Sequence, residues 1–176
     1  MNHAIIVNHL DSWGSPQEKV LRFAFLNSYF KTDQKYPLDD AILAYVFTNG
    51  YRFQPSKWSK IDEIPFDFIR RRVSVILETE SNASQGRSSQ TCDRFMITKG
   101  ALEEVMRVCS FIENVDGGEI VTFSSEDYQR ILNMGEELSN RGLRIIGVAI
   151  KRLQMVCLNI SVLFLLKVNI LRTSLP

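Results

Sequence analysis

Apolar residues at helical spacing dominate the first part of the chain. The first run covers residues 16–30, where Pro16 suits an opening helical turn. The second run begins at Pro37 and stops before the pair Asn49-Gly50, a combination that is typical of turns. The pattern therefore predicts two helices, and we expect them to pack against each other.

Beyond Trp58 the pattern changes to one that is typical of strands. Residues 58–61 and 72–77 are rich in β-branched side chains, and residues 94–97 continue the pattern. The intervening residues 80–91 contain Ser, Asn, Gly and Gln without an apolar anchor. This composition predicts a mobile hairpin loop that carries no chemistry.

The second half of the chain alternates helices with strands. A predicted helix over residues 101–109 and a turn at residues 114–118 precede a short strand over residues 119–123. Ser124 and Asp127 then resemble a helix capping box, so another helix should begin there.

That helix should end at Gly142, because glycine commonly follows the last helical turn. Residues 143–150 are almost continuously apolar, which predicts a central strand covered on both faces. Strands joined by hairpins, interleaved with helices of unequal length, favour an α+β fold: a largely antiparallel β-sheet flanked by helices.

The composition fits one globular domain. The chain has 176 residues, 45% of them hydrophobic, and typical domains have about 100 to 200 residues. A net charge of +1 provides no general attraction for nucleic acid or an anionic membrane, so an anionic ligand must be bound locally.

Three widely separated cysteines predict neither a disulfide framework nor a zinc site and fit a reducing cytosol. The apolar residues 4–7 are too few for a signal peptide.

Residues 154–171 form an apolar segment of a different kind. They are dense in Val, Leu, Ile and Phe, but Asn159, Lys167 and Asn169 interrupt them. A membrane-spanning helix needs about 20 apolar residues, and polar interruptions are costly in lipid. We therefore expect an amphipathic or poorly placed terminal segment, with a membrane helix as the alternative. The chain then divides into a domain of residues 1–153 and an apolar tail of residues 154–176.

The common catalytic motifs are missing from the sequence. It has no Gly-x-x-x-x-Gly-Lys phosphate loop, no Gly-x-Ser-x-Gly elbow and no His-Glu-x-x-His zinc motif. Its two histidines both lie within the first nine residues. We therefore predict no free-standing catalytic residue and no metal site, and we look for binding chemistry instead.

The strongest local feature combines aromatic and basic residues at the mouth of a predicted strand. Phe66 and Phe68 precede the three arginines of residues 70–72. An aromatic ring can stack on a nucleotide base while guanidinium groups bind phosphate oxygens. The residues alone leave an alternative, in which the rings belong to the core and the arginines alternate across a solvated strand.

Lys99 and Gly100 occupy a predicted strand-to-helix junction. The lysine can reach a phosphate or a base edge, the glycine leaves room for a close ligand, and a helix N-terminus adds positive potential. The alternative is a plain turn.

Four further charged residues have two interpretations each. Arg144 interrupts an apolar strand, so it is either exposed at the strand end or directed into a site. Asp39, Asp40 and Glu63 could accept hydrogen bonds from a base or a ribose, but acidic residues at helix starts are usually caps.

Taken in order, these pieces resemble the nucleotide-binding domain of P-type ATPases, in particular the bacterial-type magnesium importers. The block of residues 60–75 is close to the pattern of that branch. The triplet Lys99-Gly100-Ala101 is similar to the family's adenosine-pocket lysine motif, and residues 142–145 are similar to its later arginine strand. Three motifs in the same order are far more specific than one, and the likeness covers roughly residues 2–153.

The resemblance implies a pocket for the adenosine part of ATP. Phe66 would stack on adenine, and Lys99 would line the base pocket with Gly100 beside it. Asp39 looks like the acidic position that reaches the adenine edge in relatives.

The resemblance also implies a mechanism. Arg144 would contact phosphate or ribose, and Arg71 matches a basic position near the phosphates. The domain would hold Mg-ATP by its adenosine end and swing, so that the γ-phosphate reaches an aspartate on a neighbouring phosphorylation domain. The phosphoenzyme would then drive magnesium across the membrane. The implied partners are the phosphorylation and transmembrane domains of the parent pump, and the implied location is a cytoplasmic domain of an integral membrane protein.

Several parts of the family pattern lie outside this sequence. The phosphorylated aspartate belongs to an Asp-Lys-Thr-Gly-Thr motif that we expect before residue 1, and the rest of the phosphorylation domain should follow residue 153. The tail of residues 154–176 departs from the family pattern, so we expect it to lie outside the family fold of what looks like a fragment. The alternative function is a non-catalytic protein-interaction module without a nucleotide site, in which the arginines of residues 70–72 bind an acidic partner.

Overall fold

The computed structural model describes residues 2–80, 92–113, 119–153 and 161–172, with the backbone alone for residues 2, 3, 80, 92 and 161–172. The elements in chain order are β1 (Asn2–Leu10), α1 (Glu18–Phe30), α2 (Pro37–Thr48), a short 3₁₀ helix (Pro55–Lys57), β2 (Trp58–Asp67), β3 (Arg72–Glu80), β4 (Cys92–Ala101), α3 (Leu102–Met106), β5 (Phe111–Glu113), β6 (Ile120–Thr122), α4 (Ser125–Asn140), β7 (Leu143–Leu153) and β8 (Ser161–Arg172).

The strands form one largely antiparallel sheet. Its order is β2-β3-β4-β7-β8-β5-β6, and β1 pairs with β8. Among the described strands, only the short contact between β5 and β8 is parallel. The prediction of an α+β fold with a largely antiparallel sheet and flanking helices is confirmed.

Each face of the sheet carries its own hydrophobic core. Successive strand residues point to opposite faces, and in β7 the buried neighbours Val148 and Ala149 belong to different cores. The first core lies under α1 and α2, and the second lies under α3 and α4. Leu21 and Ile131 are fully buried examples, one from each core, and burial of such a side chain contributes about 1.5 to 3 kcal/mol.

The strongly patterned elements match their predictions closely. α2 covers residues 37–48 as predicted, and Ser124 and Asp127 form the expected capping box of α4. Gly142 follows α4 with a φ of 76°, a conformation that favours glycine. The helix predicted over residues 101–109 is shorter, because β4 continues to Ala101 and α3 ends at Met106.

The sequence did not predict β1, β5 or β8. In β1 polar residues at both ends obscure the apolar centre of residues 4–7, and β5 has only three residues. The terminal segment was expected to be amphipathic or poorly placed, whereas residues 161–172 form β8, which pairs with both β7 and β1. The division of the chain at residue 153 stays a prediction.

Two further predictions concern parts of the chain that the structure does not describe. The predicted loop of residues 80–91, apart from its first residue, and the turn of residues 114–118 lie outside the described residues. None of the helices that the described residues form has the length and apolar character needed to cross a membrane.

Candidate functional site

Four of the six predicted site residues line one cavity of about 290 Å³, here called the aromatic cavity: Asp39, Phe66, Lys99 and Gly100. Asp39 comes from the first turn of α2, Phe66 from the end of β2, and Lys99 and Gly100 from the end of β4. Because β2, β3 and β4 are successive antiparallel strands, the ends of β2 and β4 meet at one edge of the sheet. The other lining residues are Lys31, Tyr36, Leu38, Phe68 and Val73.

Three aromatic rings contribute to the wall of the aromatic cavity. The Phe66 ring centroid lies 5.5 Å from that of Tyr36 and 5.4 Å from that of Phe68, with interplanar angles of 60° and 89°. Such edge-to-face arrangements are favoured by the quadrupoles of aromatic rings. Neither phenylalanine belongs to one of the two hydrophobic cores. The alternative in which these rings are ordinary core residues is therefore wrong.

A buried cluster of charges lies at the same cavity. The Lys99 Nζ atom is 2.5 Å from Asp39 Oδ1, and the Lys31 Nζ atom is 3.0 Å from Asp39 Oδ2. Lys31, Asp39 and Lys99 are 3%, 2% and 3% exposed, respectively. The Lys99 ammonium also donates a hydrogen bond to the hydroxyl of Ser28 in α1. Two lysines thus share one carboxylate at the wall of the aromatic cavity.

Burial and charge shift the pKa values of this cluster. Burial alone would raise the pKa of Asp39, but the Lys99 ammonium and hydrogen bonds from Lys99, Tyr36 and Lys31 lower it to about 2. Burial lowers the pKa of Lys99, and the attraction of Asp39 opposes this shift. Asp39 is therefore a carboxylate at neutral pH, and removal of either charge would leave the other buried with less compensation.

Asp39 also caps α2. The backbone N–H of Tyr36, the N-cap residue, donates a hydrogen bond of 3.0 Å to Asp39 Oδ2. The sequence left two interpretations of this residue, a cap or an acceptor for a ligand. The structure shows the cap, and contact of Asp39 with an adenine edge stays a prediction.

Gly100 has a packing role beside the cavity. A β-carbon at this position would lie 2.4 Å from the carbonyl oxygen of Arg71 and 2.6 Å from Arg72 Cβ. In the register of β4 with β7, Gly100 is opposite Gly147, where a β-carbon would lie 2.7 Å from Val105 Cβ. The sequence interpretation gave Gly100 the task of leaving room for a ligand. The structure adds that the turn between β2 and β3 could not approach β4 over any larger residue.

The remaining two predicted residues, Arg71 and Arg144, line a second cavity of about 370 Å³, here called the arginine cavity. Ala101, the neighbour of Gly100 in β4, lines this cavity, but most of the cavity's other lining residues come from α3, α4 and the start of β7, on the side of the sheet opposite α1 and α2. Both arginines are exposed, so Arg144 lies at an exposed strand end and on a cavity wall at once. Glu103 and Glu136 line the same cavity, and their carboxylates partly offset the positive charge of the two arginines.

The other charged candidates make contacts elsewhere. Glu63 accepts hydrogen bonds of 2.9 and 2.8 Å from the backbone and hydroxyl of Thr32 and one from Lys60, so it fixes the segment after α1. Asp40 is exposed in the first turn of α2.

The arginine run is partly engaged within the protein. Arg70 Nε lies 2.7 Å from Asp67 Oδ2, and Arg72 donates a hydrogen bond of 3.1 Å to the backbone oxygen of Glu104. The Asp67 carboxylate partly offsets the charge of Arg70 that an acidic partner would meet in the alternative interaction module.

Sequence reasoning missed Lys31 and Tyr36 as cavity residues. The Lys31 ammonium lies 4.2 Å from the centroid of the Tyr36 ring, which is a cation–π distance. A weak signal was available, because Lys31 ends the apolar run of α1 and Tyr36 precedes Pro37 at the start of α2. That signal does not reveal that Lys31 is buried, which depends on how the two helices pack.

Comparison with known proteins shows which family this chain matches. The chain matches the family described as P-type ATPase, cytoplasmic domain N, over residues 34–157. It is 38% identical over 149 residues to magnesium-transporting ATPase, P-type 1, of Salmonella typhimurium (strain 14028s / SGSC 2262), and the same identity is found with the protein of that name from Escherichia coli K12. A calcium-transporting ATPase of Bacillus subtilis is 29% identical over 144 residues, which cover 76% of this chain and 15% of that protein. The two magnesium-transporting relatives align with 85% of this chain, which spans 15% of their length.

Proposed function

This chain belongs to the family of the P-type ATPase cytoplasmic N domain, and on that premise we propose that it binds ATP for a parent pump that transports magnesium. The observation that carries the proposal is the aromatic cavity itself. Residues that are distant in sequence, Asp39, Phe66 and Lys99, line one cavity with an aromatic wall and a buried ammonium group. An adenine base requires both features, a surface for stacking and donors for its ring nitrogens.

The base would be held by the aromatic cavity. Phe66 is half-buried and outside the two cores, so its ring can stack on adenine without disturbing the packing of the domain. Lys99 would donate to an acceptor atom of the base, and Asp39 would keep that ammonium group in position. Gly100 brings the hairpin against β4 and so sets the distance between Phe66 and Lys99.

The phosphates would extend towards the arginine cavity. Arg144 would contact phosphate or ribose, and Arg71 would lie near the phosphates. Gly100 and Ala101 are neighbours at the end of β4 and each lines one of the cavities, so a ligand that contacts both walls would pass around this end of the sheet. Exposed guanidinium groups suit phosphates that must remain accessible to another domain.

The reaction would take place on another domain. The chain would hold Mg-ATP and present its γ-phosphate to an aspartate on the phosphorylation domain, and the phosphoenzyme would drive magnesium through the transmembrane domain. The names of the magnesium-transporting relatives support this cargo. Binding here positions the substrate, so the chain by itself should bind ATP weakly and hydrolyse almost none.

An amide NMR titration of the 176-residue chain with ATP tests the proposal. Shifts should cluster around Phe66, Lys99 and Arg144, and they should be much reduced in Phe66→Ala and Lys99→Ala. Because Lys99 is buried, peak dispersion in the ligand-free spectrum must show that each variant is folded. The half-buried Phe66 provides the variant that is expected to fold normally. No clustered shifts at millimolar ATP in the folded wild-type chain would contradict the proposal and favour the interaction module.

A further inference from the structure

We propose that Phe68 is a second aromatic contact of the ligand base, placed at the mouth of the aromatic cavity. This inference rests on the proposed function, because it concerns the same ligand. Phe68 lines the cavity together with Phe66, yet the residue is 82% exposed. Its neighbour Ile69 is 88% exposed and does not line the cavity. Of these two exposed apolar residues, Phe68 is therefore the one that a ligand in the cavity would meet.

The turn that carries Phe68 is held by a set of hydrogen bonds. Asp67 Oδ1 accepts from the backbone N–H of Ile69 at 2.7 Å, and Asp67 Oδ2 accepts from Arg70 Nε at 2.7 Å. The N–H of Arg71 donates to the backbone oxygen of Asp67 at 2.6 Å and closes the turn. Side-chain caps of this kind restrict the backbone of a tight turn. Phe68 is thus presented at a defined place although its side chain is exposed.

The orientation of the two phenylalanine rings suits a base that lies beside both of them. Their planes are 89° apart and their centroids are 5.4 Å apart. A base that stacks parallel to Phe66 is therefore nearly perpendicular to Phe68 and meets it edge to face. This is one of the two preferred geometries of aromatic pairs. Phe66 would supply the stacking surface and Phe68 the edge contact that limits the outward movement of the base.

The exposure of Phe68 separates its effect on binding from its effect on folding. A ring that is exposed without ligand contributes little to the packing of the free protein. Its apolar surface can be withdrawn from water only when a ligand covers it. Removal of the ring should therefore weaken binding and leave the fold unchanged, and Ile69 offers a matched control for the loss of an exposed apolar side chain in the same turn.

The test measures dissociation constants by NMR titration of the full chain with ATP and, separately, with adenosine. Phe68→Ala should raise Kd about fivefold to tenfold for both ligands, since the contact is to the base. Ile69→Ala should change Kd by less than about twofold, and Phe68→Tyr should restore most of the affinity. Nuclear Overhauser contacts between the Phe68 ring protons and the base protons of adenosine should appear in the wild-type chain.

The outcomes separate this inference from the function on which it rests. If the wild-type chain binds ATP and Phe66→Ala weakens it, but Phe68→Ala behaves like Ile69→Ala, the role of Phe68 is refuted and the ATP site stands. A loss of ATP binding with unchanged adenosine binding would also overturn it, because Phe68 would then act on the phosphates. If the wild-type chain binds neither ligand, both proposals fail together.

Discussion

Lys99 and Arg144 each bring positive charge to a cavity wall, but the protein holds them in opposite ways. Lys99 is buried, paired with Asp39 and hydrogen-bonded to Ser28, whereas Arg144 is exposed at the start of β7. A buried charge is held at a fixed position by partners that the fold must also keep. An exposed arginine is a mobile charge whose removal scarcely affects the fold. Substitutions in the aromatic cavity should therefore affect both ligand binding and the stability of the fold. Substitutions of the arginines in the arginine cavity should affect ligand binding alone.

The strongest test of this contrast removes the shared carboxylate. Asp39→Ala should lower the free energy of unfolding by about 3 to 5 kcal/mol, because two buried lysines lose their counter-charge. Urea unfolding monitored by circular dichroism measures the change. Asp40→Ala is the matched control, since this exposed neighbour in the same helical turn should cost less than about 1 kcal/mol. Equal losses in the two variants would contradict the structural role of the cluster.

The two glycines on the cavity walls give the next contrast. Gly100→Ala should lower the free energy of unfolding by about 1 to 3 kcal/mol, because its new methyl group collides with backbone atoms of the turn. Gly135 lies in α4 on the wall of the arginine cavity, where a β-carbon would meet only the end of the Leu102 side chain at 3.1 Å. Gly135→Ala should stay within about 1 kcal/mol of wild type, since the helix gains propensity. A smaller loss at Gly100 than at Gly135 would show that the turn can move away.

Acid should lower the free energy of unfolding through the Asp39 carboxyl group at the aromatic cavity. The pKa of Asp39 is about 2 in the folded chain, below its ordinary value of 3.8. A lowered pKa contributes stability that is present above about pH 4 and is lost as the pH falls towards 2, here about 2 kcal/mol in total. Urea unfolding between pH 6 and pH 2 should show this loss in wild type and in Arg144→Ala.

Asp39→Asn is the control for the acid experiment. Its stability should fall less between pH 6 and pH 2, because it lacks the titrating carboxyl. Burial alone would raise the pKa of Glu63, but hydrogen bonds from Lys60 and Thr32 lower it to about 2. Because Glu63 titrates in both proteins, its contribution to the loss of stability cancels in the comparison. An identical fall in wild type and Asp39→Asn would refute the assignment to Asp39.

The smallest effect on stability is expected in the arginine cavity. Arg144→Ala should change the free energy of unfolding by less than about 0.5 kcal/mol. It should raise the Kd for ATP about threefold to tenfold; an unchanged Kd for adenosine assigns the lost contact to phosphate, and a raised one assigns it to ribose. Arg141→Ala, which removes an exposed charge after α4, is the control. If it weakens ATP binding equally, general charge rather than a contact of Arg144 is responsible.

Local sequence signals predicted those elements whose pattern is complete within the element. α2 has a proline at its start, a regular apolar spacing and an Asn-Gly pair after it, so its bounds were correct. β1 lacks such a pattern because its apolar centre is short, and its place in the sheet depends on pairing with β8, far along the chain. Non-local pairing of this kind leaves little trace in either segment alone.

The candidate site shows the same division. Phe66, Lys99 and Gly100 were found because each lies in a short motif, and the structure brings them to one cavity. Lys31 could not be assigned from its neighbours, because a lysine at a helix end is ordinarily solvated. Its burial follows from the position of Asp39 across the packed helices. Partners that meet only through tertiary packing are the part of a site that a single sequence conceals.

The opposed glycines Gly100 and Gly147 change how the Lys-Gly-Ala triplet should be interpreted in other chains. A side chain at Gly100 would collide with the turn before β3, and a side chain at Gly147 would collide with Val105. The packing of the protein therefore requires both glycines whether or not a ligand binds. The triplet thus records a packing constraint at Gly100, while Lys99, buried against Asp39, carries a constraint on stability besides its proposed contact with the ligand. A domain that has lost nucleotide binding during evolution would be expected to keep both residues, whereas the exposed Arg144 could change. The triplet by itself would then not distinguish working copies from degenerate ones.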